Sequence, residues 1–143
     1  MKKYKVGYTQ GTYDLFHIGH LNLLNHAKEL CDYLIVGINT DRLVQEYKGK
    51  QVIIPEKERA KIVENIKAVD EVILTDTLDK FKINEKVKFD AIFIGDDWKD
   101  NERWLQTKKE MAKKGIDVIF LPHTDGVSSS QIRKKLMDED SMM

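Results

Sequence analysis

The feature that most limits what this chain can fold into is an end-to-end alternation of short β-branched runs with helical patterns. Residues 5–9 read as a strand. Residues 18–30 read as a helix, with Leu21, Leu24, Ala27 and Leu30 on one face. Residues 33–38 (Tyr-Leu-Ile-Val-Gly-Ile) form a nearly continuous apolar run, as expected of a central parallel strand buried on both faces. Pro55 opens a helix over residues 55–69, since proline suits the first helical turn. A short strand follows at 71–74, a short helix at 80–87 and a strand at 91–94, ending at Gly95. Residues 102–114 read as a helix stopped by Gly115, a favoured residue just past a helix end. The last strand is 116–121 and the last helix 129–137. Five strands separated by helices predict an α/β fold, a doubly wound five-stranded parallel sheet with helices on both faces.

A chain of 143 residues has room for one hydrophobic core and little for a second. No repeat or linker interrupts it, so residues 1–137 are expected to form one domain, with 138–143 a frayed, disordered tail. Lys and Arg total 24 and Asp and Glu total 24, which leaves no global field for a nucleic-acid backbone. No apolar run approaches the roughly 20 residues that span a bilayer. The basic start, Met1-Lys2-Lys3-Tyr4-Lys5, runs straight into a strand and does not read as a signal peptide. Cys31, the one cysteine, excludes an intrachain disulfide and fits a reducing compartment. The expectation is a cytoplasmic protein with neither nucleic-acid nor membrane partners.

In parallel sheets ligands bind beyond the carboxyl ends of the strands, which directs attention to four loops. The first runs through Thr9, Gly11, Thr12, Tyr13, Asp14, His17, Gly19 and His20. His17 and His20 stand three apart at a helix start, where amides and imidazoles together suit a polyphosphate. A capping or packing histidine, or half of a metal site, are the competing readings; no further local His or Cys completes a zinc set. The second stretch, about 15 residues from Asp41 to Pro55, reads as an irregular connection long enough to be functional. It carries Lys48-Gly49-Lys50, either a solvated pair or a mobile lid over phosphates. Arg59 follows, as a ligand contact or an exposed ion pair. The third loop is Gly95-Asp96-Asp97-Trp98, where paired aspartates also invite a magnesium reading. Trp98 stacks on a ligand or packs, and Trp104 is expected in the core. The fourth loop holds His123, Thr124, Gly126, Ser128, Ser129, Ser130 and Arg133. Three serines in a row exceed what one N-cap needs.

The segment Gly11-Thr12-Tyr13-Asp14-Leu15-Phe16-His17-Ile18-Gly19-His20 resembles the His-x-Gly-His signature of the nucleotidyltransferase superfamily, and specifically its cytidylyltransferase branch. His123-Thr124-Asp125-Gly126-Val127-Ser128-Ser129-Ser130 resembles that branch's second signature, usually Arg-Thr-Glu-Gly-Ile-Ser-Thr-Thr. His123 thus stands where arginine is usual, and Lys67 departs from an Ile-Arg-Tyr-Val-Asp pattern in the same way. The resemblance implies a Rossmann-like fold and CMP transfer from CTP to a phosphorylated small alcohol, glycerol 3-phosphate first. AMP transfer, or ethanolamine, choline or ribitol phosphate as acceptor, are its alternatives. A non-catalytic nucleotide sensor is the alternative outside enzymes. By resemblance, His17, His20, Lys48 and Lys50 are catalytic. Thr9, Gly11, Thr12, Tyr13, Gly19, Gly95–Trp98, Thr124, Gly126 and Ser128 to Ser130 bind the nucleotide. Asp14, Arg59, His123 and Arg133 are further candidates, with Arg133 compensating for His123. The resemblance also implies Mg²⁺ carried by the triphosphate, and a homodimer.

Overall fold

The computed structural model describes residues 2–142. Five parallel strands, β1 (Tyr4–Gly11), β2 (Cys31–Asn39), β3 (Glu71–Thr75), β4 (Ala91–Gly95) and β5 (Asp117–Leu121), lie in the order β3-β2-β1-β4-β5. The order reverses between β1 and β4, and that is where a doubly wound sheet opens its ligand crevice. The ladder there is short. It pairs Gly7 with Ala91 and Tyr8 with Ile92, and then the Thr9 hydroxyl donates to the Phe93 carbonyl at 2.8 Å.

Six α-helices cover the sheet: α1 (Ile18–Leu30), α2 (Asp41–Lys48), α3 (Glu56–Glu64), α4 (Lys80–Lys86), α5 (Glu102–Ala112) and α6 (Ser129–Met142). Alternate strand residues feed two cores, as a strand's period of two requires. Leu34, Val36, Ile38 and Phe93 pack with Leu24 and Ala27 of α1 and Val63 of α3. Tyr8, Ile35, Ile92 and Val118 pack on the other face with Ile83 of α4 and Met111 of α5. The expected α/β architecture is therefore present. Among the described residues no helix is long and apolar enough to cross a membrane.

Two elements differ from expectation. The helix opening at Pro55 ends at Glu64 rather than Val69, because the Asn65 side chain donates back to the Lys61 carbonyl and the chain turns towards β3. The connection from Asp41 to Pro55 is not irregular throughout: its first half is α2. Thr40 caps that helix, accepting from the Leu43 amide at 3.2 Å, and Gly49 ends it at φ 66° in the left-handed region. The last helix runs past residue 137 to Met142, and Met143, in the stretch expected to fray, lies outside the described residues.

Candidate active site

A cavity of about 690 Å³ opens over the switch point. Of the residues singled out from sequence, Thr9, Gly11, Thr12, Tyr13, His17, Gly19, His20, Lys48, Gly95, Asp97, Trp98, His123, Thr124 and Ser128 to Ser130 line it. Lys50, Asp14, Arg59, Asp96, Gly126 and Arg133 do not.

The histidines form the start of α1. His17 is its N-cap and accepts from the Gly19 amide through Nδ1 at 3.0 Å. Three residues on, His20 Nδ1 accepts from the His17 amide at 3.2 Å. Two imidazoles thereby build a reciprocal capping box. The rings stack with centroids 3.8 Å apart, and a β-carbon at Gly19 would lie 2.9 Å from the His17 ring, so only glycine leaves room for the pair. Because both Nδ1 atoms accept, each neutral ring carries its proton on Nε2, the remaining polar atom. Burial, helped by His17, pushes His20 down to about 3, and burial lowers His17. The capping and ligand-binding readings are thus compatible: one nitrogen of each ring holds the helix, the other is a neutral donor. The preceding turn holds Tyr13 at φ 54° and Leu15 at φ 51°, non-glycine residues in the left-handed region. Such strain is maintained only where surroundings enforce it.

Asp14 supplies much of that enforcement. Its buried carboxylate accepts from the amides of Ile53 at 2.8 Å and Ile54 at 2.9 Å, and from Arg133 Nη2 at 3.1 Å. The Ser129 hydroxyl donates to its carbonyl. Asp14 and Arg133 therefore tie three loops together behind the cavity. Arg59, expected as a ligand contact or an exposed pair, is fully buried. It donates to the carbonyls of Ile54, Thr12 and Asn39 at 2.7, 2.6 and 2.9 Å and pairs with Asp41.

Lys48 closes α2 at the cavity edge, its ammonium 5.4 Å from the Tyr47 ring centroid. Lys50 instead shares a separate depression with Ser130, Arg133 and Lys134. Ser128 caps α6 by accepting from the Gln131 amide at 3.1 Å, and Ser130 lines both concavities. Thr124 is held by Asn22 Nδ2 at 2.9 Å. Gly126 makes the turn at φ 80°.

At the end of β4 a 3₁₀ turn, Asp96–Trp98, sends its two carboxylates apart. Asp97 lines the cavity. Asp96 instead holds His123, accepting from its ring Nδ1 and its amide, while His123 Nε2 lies 3.0 Å from Asp125. The ring hydrogen bond, with the Asp96 charge, raises His123, and the same hydrogen bond from His123 lowers Asp96. Trp98 is half exposed on the cavity wall rather than packed, and Trp104, expected in the core, packs partly against it and also lines the cavity.

Sequence reasoning missed Gln10, Asn39, Tyr47, Lys80, Asn101 and Arg103, all of which line the cavity. Lys80 is half-buried; desolvation and the nearby Arg103 push its ammonium down to about 8. A cation so placed favours an anionic ligand. No motif marks Lys80, since a lysine at a helix start reads as an ordinary solvated residue.

A family model described as cytidylyltransferase-like matches residues 8–135. A glycerol-3-phosphate cytidylyltransferase of Bacillus spizizenii is 42% identical over 90% of this chain and 94% of its own length. An FAD synthase of Ferroglobus placidus is 44% identical over 74% of this chain and 67% of its own. Among solved structures, a lipopolysaccharide core biosynthesis protein of Thermoplasma volcanium superposes with a TM-score of 0.73 at 30% identity, covering 85% of this chain and 99% of that one. With its paired histidines, its serine-rich helix start and this match along most of its length, the chain belongs to the cytidylyltransferase-like family of nucleotidyltransferases.

Proposed function

We propose that this chain transfers CMP from CTP to glycerol 3-phosphate, releasing pyrophosphate. The observation that carries the reading is the presence of two separate cationic stations in one cavity that also holds the histidine pair. Lys48, with the serines at the start of α6, suits the triphosphate; Lys80 with Arg103 suits the phosphate of an acceptor. An oxygen of the acceptor's phosphate attacks the α-phosphorus, and the bond from that phosphorus to the β-phosphate oxygen breaks. The acceptor oxygen is already anionic, so no general base is needed, and the protein contributes positioning and electrostatics. The Nε2–H groups of His17 and His20 meet the developing charge on the α-phosphoryl oxygens. Lys50, in the neighbouring depression that Ser130 also lines, receives the departing pyrophosphate, a role supported by that shared serine. Gly95, Asp97 and Trp98 form the wall assigned to the base.

Asp97 is the one carboxylate among the lining residues, and a single carboxylate fits a magnesium ion carried by the triphosphate better than one caged by protein. Such an ion neutralises phosphate charge when MgCTP binds. A homodimer, which the resemblance alone supports, is checked by light scattering.

A second reading, AMP transfer, is favoured by the similarity to an FAD synthase. The test is pyrophosphate release with Mg²⁺, crossing CTP, ATP, GTP and UTP against glycerol 3-phosphate, other phosphorylated alcohols and FMN. Turnover with CTP and glycerol 3-phosphate is expected. Turnover only with ATP and FMN would replace the reading by the second one, and CTP binding without turnover would make the chain a sensor.

A further inference from the structure

One hydrogen-bonded chain runs across the cavity floor and joins the two cationic stations. It begins at Tyr8, fully buried and stacked on Phe89 with ring centroids 4.8 Å apart. The Tyr8 hydroxyl donates to Gln10 Oε1 at 2.8 Å. Gln10 Nε2 then donates to Asn39 Oδ1 at 2.8 Å and to the Thr77 carbonyl at 3.0 Å. Asn39 Nδ2 in turn reaches the Tyr47 hydroxyl at 3.1 Å and the Thr12 hydroxyl at 3.3 Å. The polarity of this chain is determined. The Thr77 carbonyl can only accept, which turns the Gln10 NH₂ towards it and Asn39 Oδ1, leaves Gln10 Oε1 to the Tyr8 hydroxyl, and sends the Asn39 NH₂ to the far end.

A second observation shows that the backbone is built around the same junction. Gly37 stands opposite Gln10 in the β1–β2 ladder, and a β-carbon there would lie 2.0 Å from the Tyr8 oxygen. Only glycine at this position leaves space for the hydroxyl that orients Gln10.

The two ends of the chain are the two halves of the reaction. On one side, the carbonyl gripped by Gln10 belongs to the turn that starts α4. There the Thr77 hydroxyl accepts from the Asp79 amide at 3.1 Å, Asp79 caps α4, and Lys80 follows. On the other side, Tyr47 precedes Lys48 on α2. Displacing either end strains a bidentate amide whose donors are both engaged.

We propose that Gln10 is a positioning residue that couples the two substrates: occupancy at Lys80 holds α2 and Lys48 in their CTP-binding arrangement, and the reverse. Reciprocity follows from linkage, since a coupling between two binding events has the same size seen from either side. This rests on the acceptor phosphate lying at Lys80, as proposed above.

The test is an initial-rate matrix in MgCTP and glycerol 3-phosphate, with the factor by which saturating acceptor lowers the KM for CTP as the readout. For the unaltered chain that factor is expected to be at least about fivefold, the lower end of usual couplings. Gln10→Met, similar in length but without donors, is expected to bring it to about one, with CTP binding alone followed separately by calorimetry. If Gln10→Met does not fold, Tyr47→Phe cuts the far end and reads the same factor. Lys80→Met separates the two ideas. An acceptor KM unchanged in Lys80→Met would overturn the placement of the acceptor and the coupling with it. A raised acceptor KM in Lys80→Met together with full coupling in Gln10→Met would overturn the coupling alone. A merely structural role for Gln10 would lower thermal stability and kcat without altering the factor.

Discussion

Two histidines at a helix start each use Nδ1 on the backbone, and that decides their charge before any ligand arrives. Doubly protonated, neither Nδ1 can accept, so the capping box must break for either ring to become a cation. His17→Ala removes one neutral donor from the cavity, and on the proposed mechanism a loss of about 10²- to 10³-fold in turnover is expected, as for other preorganised donors. A loss below about fivefold with the fold intact would take His17 out of the mechanism. The pH dependence follows from His20, held down at about 3 in the fold against about 6.5 unfolded. Above about pH 6.5 both states are neutral and the group contributes nothing. Between about 6.5 and 3 the unfolded chain binds a proton that the fold refuses, so stability falls as pH falls, by up to about 1.4 kcal/mol per pH unit. Urea unfolding between pH 4 and 7 is expected to show this slope in the unaltered chain and to lose it in His20→Asn. Parallel curves would mean that His20 is not buried neutral. The histidine spacing and the serine run were readable because they are local. Asp14 and Arg59 were candidates by resemblance alone, Arg59 with an exposed ion pair as its alternative, and both are buried. Which way a side chain turns is decided by the Ile53, Ile54 and Thr12 backbone groups that tertiary folding brings near, and no local pattern contains that.

At the scale of elements, α2 is the instructive case. Eight residues are too few for a helix that holds by itself, so α2 depends on its caps and on burying Leu43 and Val44. Both caps are in the sequence: Thr40 before the helix, Gly49 after it, with Leu43, Val44 and Tyr47 at helical spacing. They went unread because Lys48-Gly49-Lys50 drew the whole stretch into a loop. The consequence is mechanical. Lys48 sits on the last turn of a capped helix rather than within a loop, and what remains outside regular structure is the short connection from Gly49. Thr40→Ala removes the hydrogen bond to the Leu43 amide and is expected to cost about 1 kcal/mol. Hydrogen exchange at residues 43–48 should then accelerate, with a raised KM for CTP and little change in acceptor KM at saturating CTP. Unaltered exchange there would mean that packing of Leu43 and Val44 alone holds the helix.

For the whole molecule, the sheet order was legible because alternation of strand and helix together with right-handed crossovers leaves few arrangements. What holds the first two of the four loops in register at one end of the sheet was not legible. Arg59 does so from a fully buried position: it joins the first loop through Thr12, the end of β2 through Asn39 and Asp41, and the connection before α3 through Ile54. A buried guanidinium is costly to desolvate, and only this complete set of acceptors offsets that cost. Removing the side chain leaves three carbonyls and the Asp41 carboxylate without their donor. Arg59→Met, which keeps the apolar stem, is therefore expected to lose about 3 kcal/mol of folding stability in urea titration, since a buried carbonyl left without its donor costs about 1–3 kcal/mol while the partly exposed Asp41 regains water. That is a large part of the 5–15 kcal/mol typical of a domain. The loss should be partly recovered by saturating MgCTP, because a ligand that bridges the first and second loops binds only the folded arrangement and shifts it by mass action. Asp41→Asn, which keeps an acceptor but removes the charge, should cost less. A stability change below about 1 kcal/mol in Arg59→Met would mean that the loops are held by Asp14 and its amide partners without the arginine. Destabilisation with no recovery in MgCTP would mean that the brace serves the core and not the site.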